Sequence, residues 1–169
     1  MQMKTKQLLT LALLTAVSLV LFVVEAQIPA PVPVPGVKLG LSNIVIVCVL
    51  FLCGRRHALA VLLVKSVLGA LLTGQLGALP YSLAGGLLSL GVMSLLRPVL
   101  PDRQLWVASV LGAMLHNLGQ LLTAMAITQT PGLVAYLPVL LLSGMLTGLF
   151  TGIAAQALTK RLKQRRNCK

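Results

Sequence analysis

Long runs of apolar residues alternate with short polar segments along the chain. A bilayer core about 30 Å thick is crossed by a helix of about 20 mostly apolar residues. The pattern predicts six transmembrane helices, over 8–24, 39–53, 58–79, 80–96, 105–128 and 133–158. The third and fourth of these join through Leu79 and Pro80 with almost no loop. We therefore predict an all-α bundle of six membrane-spanning helices in one domain over 1–169, ending in a basic tail over 159–169.

Composition excludes most soluble classes of protein. Of the 169 residues, 57% are hydrophobic and only 9% are charged, with Glu25 and Asp102 as the two acids. A soluble domain is about 25% charged, so this chain could not cover a surface in water. Two acids do not supply a paired acid–base site, and Cys53 with His57 falls short of the four ligands of a zinc site. We expect no enzyme activity, no cofactor and no catalytic or metal site.

The formal net charge of +12 reflects topology rather than nucleic-acid binding. The basic residues form short clusters between apolar runs, without interleaved aromatic residues that would stack on bases. With the amino terminus inside, 12 of the 14 basic residues are cytoplasmic, Lys38 is outside and Lys65 lies within the third span. The positive-inside rule therefore predicts that both termini are cytoplasmic. No clean cleavage site follows the first apolar run, so we expect it to be retained as a span.

A proline-rich segment follows the first span. Prolines at positions 29, 31, 33 and 35 keep the backbone extended, and the residues between them are apolar. Apolar, non-helical backbone at a membrane face is stable when it is buried against protein. We interpret the segment as an outer cap over the helices; a rigid connection without a ligand role is the alternative. Glu25 and Lys38 flank it and could pair with each other or bind a ligand.

Polar residues within the spans indicate where function lies. His116, Asn117 and Gln120 share one side of span five near the membrane midplane, beside Gly112 and Gly119. Polar side chains at that depth face the bundle interior and often mark binding sites. A lone histidine is more often structural, but three polar residues together favour a substrate-binding site.

Two further polar residues have alternative interpretations. Lys65 either extends along the helix to the cytoplasmic surface or presents its charge to an anionic ligand beside His116. We expect Glu25 and Asp102 at the membrane edges, away from the depth of Lys65 and from His116. Asn43, at the start of span two, either lines the same site or makes a hydrogen bond between helices.

Small residues at four-residue spacing predict close helix packing. Gly144, Gly148 and Gly152 form such a stripe on span six, where we favour an internal contact. On span one, Ala12 and Ala16 would serve either an internal contact or a contact with a partner helix.

Three motifs carry a resemblance to a known family: Pro35-Gly-Val-Lys-Leu-Gly-Leu-Ser-Asn43, Leu83-Ala-Gly-Gly-Leu-Leu-Ser89 and His116-Asn-Leu-Gly-Gln120. Over nearly its whole length the chain resembles the bacterial Gx transporter family, also catalogued as heptaprenyl diphosphate synthase component I. That family is similar in size and topology to the substrate-binding S components of energy-coupling factor transporters. The resemblance implies a bacterial plasma-membrane subunit that binds a small molecule under the loop after helix one.

The same resemblance implies partners. These would be a transmembrane coupling protein, which meets small residues on helix one (here Ala12 and Ala16), and a pair of cytoplasmic ATPases. The synthase name does not fit a catalytic subunit, because prenyl synthases hold magnesium with two aspartate-rich motifs and this chain has one Asp.

Three hypotheses about function remain. The first is a small-molecule uptake subunit whose site contains Glu25, Lys38, Asn43, Lys65, His116, Asn117 and Gln120. The second is a non-catalytic membrane accessory protein of isoprenoid or quinone metabolism. The third is a stand-alone proton-linked carrier that uses His116.

Overall fold

The computed structural model describes residues 5–27, 40–101 and 104–167. Within them the chain forms six α-helices and no strand, which confirms the predicted all-α class. The helices are α1 (Thr5–Ala26), α2 (Asn43–Cys53), α3 (Arg55–Leu72), α4 (Leu79–Leu96), α5 (Leu105–Thr128) and α6 (Leu137–Asn167). Short 3₁₀ helices over Leu76–Ala78 and Pro131–Tyr136 lead into α4 and α6. The predicted proline cap lies outside the described residues.

The shortest helix, α2, forms the centre of the bundle. Its sequence from Ile44 to Cys53 is apolar on all sides, which is typical of a helix without a solvent or lipid face. Every residue from Val45 to Leu50 is at most 2% exposed. Helices α1, α3 and α6 pack around it. By contrast α1 leaves Leu9, Leu13 and Val20 more than 60% exposed, as expected for a helix in contact with lipid.

Helices α5 and α6 pack antiparallel through the predicted glycine stripe. A methyl group at Gly144 would lie 3.1 Å from Met114 Cα, one at Gly148 2.7 Å from Val110 Cα, and one at Gly152 2.7 Å from Trp106 Cα. Such distances are too short for a side chain, so the two backbones touch. The stripe therefore serves an internal contact.

Basic residues of three helices, α3, α4 and α6, lie at one end of the bundle, which we call the basic end. Arg97, just after α4, approaches Gly54, where α2 turns into α3 beside Arg55 and Arg56. The Cys48 thiol donates to the Ala155 carbonyl at 3.7 Å, so α2 and α6 run side by side. About one and a half helical turns further along, Lys160 reaches the level of Gly54. This distribution is the one that the positive-inside rule requires for a single membrane face.

The six predicted spans differ in how well their helices meet the requirements of a bilayer. Four helical stretches are long and apolar enough to cross: Leu8–Ala26, Leu76–Leu96, Leu105–Thr128 and Pro131–Leu162. Helix α2 has 11 residues and is only about 16 Å long. Helix α3 carries Arg55, Arg56 and Lys65 in 18 residues and ends at Leu72, seven residues before the predicted end. The third predicted span was too long because the chain turns at Gly74, where φ is +66°.

Candidate binding site

Lys65 points into the bundle at the depth where α2 begins. Helices α2 and α3 form an antiparallel hairpin around Gly54, whose φ of +97° favours glycine. Asn43 and Lys65 each lie 11 residues from Gly54, so they are level with each other. The Lys65 ammonium donates to Ser42 Oγ at 3.0 Å and to Asn43 Oδ1 at 3.2 Å, and the side chain is 3% exposed. Lys65 therefore faces the interior and does not extend to the basic end.

Glu25 lies close to the same point, near the end of α1. Its carboxylate accepts hydrogen bonds from the Gly40 amide and, at 3.3 Å, from the Ser42 amide. Gly40 has a φ of +81°, and a methyl group there would lie 3.0 Å from the Asn43 side-chain nitrogen. The carboxylate therefore holds the backbone that leads into α2.

A stripe on α1 faces this region. Ser18, Phe22 and Glu25 follow helical spacing and are at most 4% exposed. Ser18 Oγ donates to the Ser42 carbonyl at 3.2 Å. The Lys65 ammonium lies 5.8 Å from the centre of the Phe22 ring, within the range of a cation–π contact. Helix α1 thus contributes a hydroxyl, an aromatic face and a carboxylate.

Helices α4 and α5 close the opposite side. His116 and Gln120 are one turn apart on α5 and are 5% and 1% exposed. A methyl group at Gly85 of α4 would lie 2.6 Å from the His116 carbonyl and 2.9 Å from Gln120 Cγ. Because Gly85 has no side chain, α4 reaches α5 at this level and brings the Ser82 hydroxyl beside His116.

These residues line a small, partly open cavity of about 10 Å³, room for about one water molecule. We call it the Lys65 cavity; its lining is Phe22, Glu25, Gly40, Ser42, Lys65, Ser82, His116 and Gln120. The buried Nδ1 of His116 makes no hydrogen bond of good geometry within the described part of the chain, and it lies close to the backbone of Gly85. A buried polar atom without a partner costs about 1–3 kcal/mol.

The structure brings together four of the seven residues that the sequence singled out. Glu25, Lys65, His116 and Gln120 all line the Lys65 cavity. Asn43 is next to this lining, and its side-chain oxygen accepts a hydrogen bond from Lys65. Lys38 lies outside the described residues.

Asn117 has a different environment from His116, although the two are adjacent in sequence. Its amide donates to the Leu140 carbonyl at 2.8 Å and to Ser143 Oγ at 3.4 Å. These contacts connect α5 to α6, on the side of α5 that faces away from the cavity.

The expectation that Glu25 lies away from Lys65 and His116 is wrong, since all three line one cavity. Lys65 is ten residues from the start of α3 and seven from its end. It is therefore about 10 Å from the end of α3 that lies opposite the basic end. That is the half of the bundle in which α1 ends.

Sequence reasoning did not assign Ser18, Phe22, Ser42 or Ser82 to the site. A signal existed for α1, because Ser18 and Glu25 are seven residues apart in a stretch, 16–26, that is otherwise apolar, and so fall on one face. Ser82 gave a weaker signal, since α4 has three serines and serine is common in membrane helices.

The predicted partner contact on α1 lies on its surface. Ala12 and Ala16 are both exposed in the structure, on the part of α1 that the other helices leave uncovered. They are therefore accessible to lipid or to another helix.

A family model described as heptaprenyl diphosphate synthase component I matches residues 14–158. The match covers α2 to α5, most of α1 and α6 as far as the basic tail. No curated protein matches the chain, and no solved structure does.

Proposed function

The chain belongs to the heptaprenyl diphosphate synthase component I family, and we propose that it is a membrane subunit that binds a small polar molecule in the Lys65 cavity. In this proposal the chain serves uptake, and separate coupling and ATPase subunits supply the energy. The observation that carries it is the convergence of Lys65, Glu25 and His116 on one void inside an apolar bundle.

The energetics of burial support a binding role. A charged side chain in the middle of a membrane helix costs about 2.5–3.5 kcal/mol on insertion scales. Residues that only connect helices recover this cost by direct contacts and leave no space between them. Here the buried lysine and glutamate do make direct contacts, with the segment Gly40–Asn43. Together with His116 they nevertheless leave a small space between three helices. A ligand with hydrogen-bonding groups, and with an anionic group for Lys65, matches this lining.

In this proposal the described conformation is the closed one, because the cavity is too small for a nutrient. About 10 Å³ holds a water molecule and not a nutrient. The segment Gly40–Ser42 lies over the cavity and is held by the Glu25 carboxylate. We propose that release of this segment, together with α1, opens the cavity to one membrane face.

The exposed face of α1 provides a surface for a partner. Ala12 and Ala16 are small and exposed, and small residues at this spacing allow a second helix to approach closely. In the proposal a transmembrane coupling protein binds here. Substituting both residues with Leu is expected to separate the partner without changing ligand binding.

The ligand test is mass spectrometry of the small molecule that remains bound through gentle purification. The double variant His116→Leu/Gln120→Leu is expected to express and to lose that molecule. Ser109→Ala is the matched control, because Ser109 is a buried polar residue of the same helix whose hydroxyl contacts Thr151 away from the cavity. Retention of the molecule by the double variant would contradict the proposed site.

A second function is favoured by the family name, which implies a partner synthase component. In that case the chain is a membrane anchor or accessory protein for a soluble prenyl synthase, and the basic end is its docking face. Co-purification separates the two functions: ATPase and coupling subunits support uptake, and a prenyl synthase supports the accessory role. Transport by the chain alone in liposomes would instead support a proton-linked carrier.

A further inference from the structure

A second concave site lies between α3 and α4 at the basic end, and the proposed function does not use it. Its volume is about 320 Å³, which falls in the range of ligand sites, about 300–1,000 Å³. We call it the Arg55 groove; its lining is Arg55, Arg56, Leu59, Leu87, Leu90, Gly91 and Ser94.

The surface of the groove is almost entirely apolar, with Arg55, Arg56 and Ser94 at one end. A methyl group at Gly86 would lie 2.5 Å from Leu62 Cδ1, so α3 and α4 touch in antiparallel register at these residues. Counting about two turns from that contact toward the basic end places Ser94 level with Arg55 and Arg56. The leucines lie further from the basic end, up to about 10 Å from Ser94 along α4.

Gly91 shapes the apolar part of the groove. A methyl group there would meet no atom within 4 Å, whereas methyl groups at Gly85 and Gly86 of the same helix would clash with α5 and α3. Gly91 therefore does not serve close helix packing. Its missing side chain leaves the groove open toward the membrane.

The charge of the side chains near the polar end of the groove determines which ligand binds there. Arg55 and Arg56 are exposed, and Arg97 lies nearby beside Gly54. Glu25, the one acidic side chain among the described residues, lies in the Lys65 cavity instead. Guanidinium groups bind phosphate oxygens in a bidentate manner. Basic pockets between membrane helices at the basic face are typical binding sites for lipid head groups.

We propose that the Arg55 groove binds an anionic membrane lipid. Its phosphate head group contacts Arg55, Arg56 and Ser94, and the start of one acyl or isoprenoid chain lies over Leu59, Leu87, Leu90 and Gly91. The arginine end of the groove lies at the membrane face where the lipid head groups of that leaflet lie, and its apolar end lies toward their acyl chains. A lipid of that leaflet can therefore enter the groove without turning over.

The test is native mass spectrometry of the detergent-purified full chain, titrated with phosphatidylglycerol and with phosphatidylcholine of identical acyl chains. The chain is expected to bind phosphatidylglycerol about tenfold or more tightly, since each basic side chain contributes to anionic lipid binding. Arg55→Gln/Arg56→Gln is expected to remove that preference. Lys160→Gln/Arg161→Gln, which removes two charges at the same end outside the groove, is expected to retain it.

A steric pair of variants tests the apolar part. Gly91→Leu adds a side chain at a position where a methyl group meets no atom within 4 Å, and it is expected to weaken phosphatidylglycerol binding several-fold. Ala60→Leu adds the same bulk at an exposed position of α3 outside the groove and is expected to leave binding unchanged.

Three results would overturn the proposal. The first is equal binding of the two lipids by the unmodified chain, which indicates ordinary surrounding lipid. The second is an equal loss in the Lys160/Arg161 variant, which indicates a diffuse charge effect. The third is displacement of the lipid by millimolar inorganic phosphate, which assigns the groove to a soluble anion.

Discussion

The contact between α5 and α6 and the Lys65 cavity both contain buried polar side chains, but their packing differs. At the α5–α6 contact, Ser109 pairs with Thr151 at 3.0 Å, and Asn117 donates to the Leu140 carbonyl at 2.8 Å. The glycines beside them leave no space for a methyl group. At the Lys65 cavity, polar groups from five parts of the chain surround a void.

The difference separates two uses of polarity in a membrane protein. Polar groups that pair across a close-packed contact connect helices, and each pair is worth about 0.6 kcal/mol. The polar groups of the Lys65 cavity also bond to neighbouring parts of the chain, but they leave a small space between them. His116 and Asn117 are neighbours in sequence, yet each belongs to a different one of these regions. The predictions below test this distinction.

The largest expected effect is a loss of stability at the close-packed contact between α5 and α6. Gly148→Leu places a side chain where even a methyl group would lie 2.7 Å from Val110 Cα. Overpacking of this kind costs about 1–3 kcal/mol or more, so we expect a lower midpoint of thermal unfolding in detergent and less monodisperse protein. Gly91→Leu is the control, because a methyl group at Gly91 meets no atom within 4 Å. Equal stability of the two variants would contradict the described α5–α6 contact.

An intermediate loss of stability is expected at the segment Gly40–Ser42, beside the Lys65 cavity. Glu25→Gln replaces a charged acceptor of the Gly40 and Ser42 amides with a neutral one. Hydrogen bonds to charged groups contribute about 1.5–3 kcal/mol, and we expect part of this to be lost. Hydrogen–deuterium exchange of a peptide covering Gly40–Asn43 should become faster, while exposed Gln27→Ala leaves it unchanged. Unchanged exchange in Glu25→Gln would show that the carboxylate does not hold this segment.

The smallest expected effect is the loss of stability when a single hydrogen-bonded pair between α5 and α6 is removed. Ser109→Ala removes the hydrogen bond to Thr151 and should lower the free energy of unfolding by about 0.6 kcal/mol. Ligand retention should not change, since both residues lie away from the Lys65 cavity. Loss of the ligand in Ser109→Ala would mean that the two regions are not separate.

Helix positions followed closely from the sequence where a single long apolar run determined them. Helix α5 has the predicted bounds, Leu105–Thr128, because one run of suitable length is bounded by polar residues. The family was also predictable, since three motifs carried the resemblance and the family model matches 14–158. The third span was predicted too long because its run continues past the turn at Gly74.

The depth of a polar side chain in the bundle and the residues that it contacts were less predictable from the sequence, because both depend on how the helices pack. The depth of Lys65 follows from the hairpin at Gly54 and from the short α2, neither of which is visible in hydropathy alone. Helical spacing placed His116 and Asn117 on the same side of α5, about 100° apart. The position of α6 decided that Asn117 makes an interhelical bond while His116 lines the cavity.

The central claim is that the Lys65 cavity holds a guest, and a pair of adjacent single variants tests it most directly. His116→Leu and Asn117→Leu are purified in parallel, and the small molecule that each retains is quantified by mass spectrometry against the unmodified chain. We predict that His116→Leu loses the molecule and that Asn117→Leu keeps it, with a stability loss of about 1 kcal/mol. Retention by His116→Leu, or equal loss from both variants, would contradict the claim.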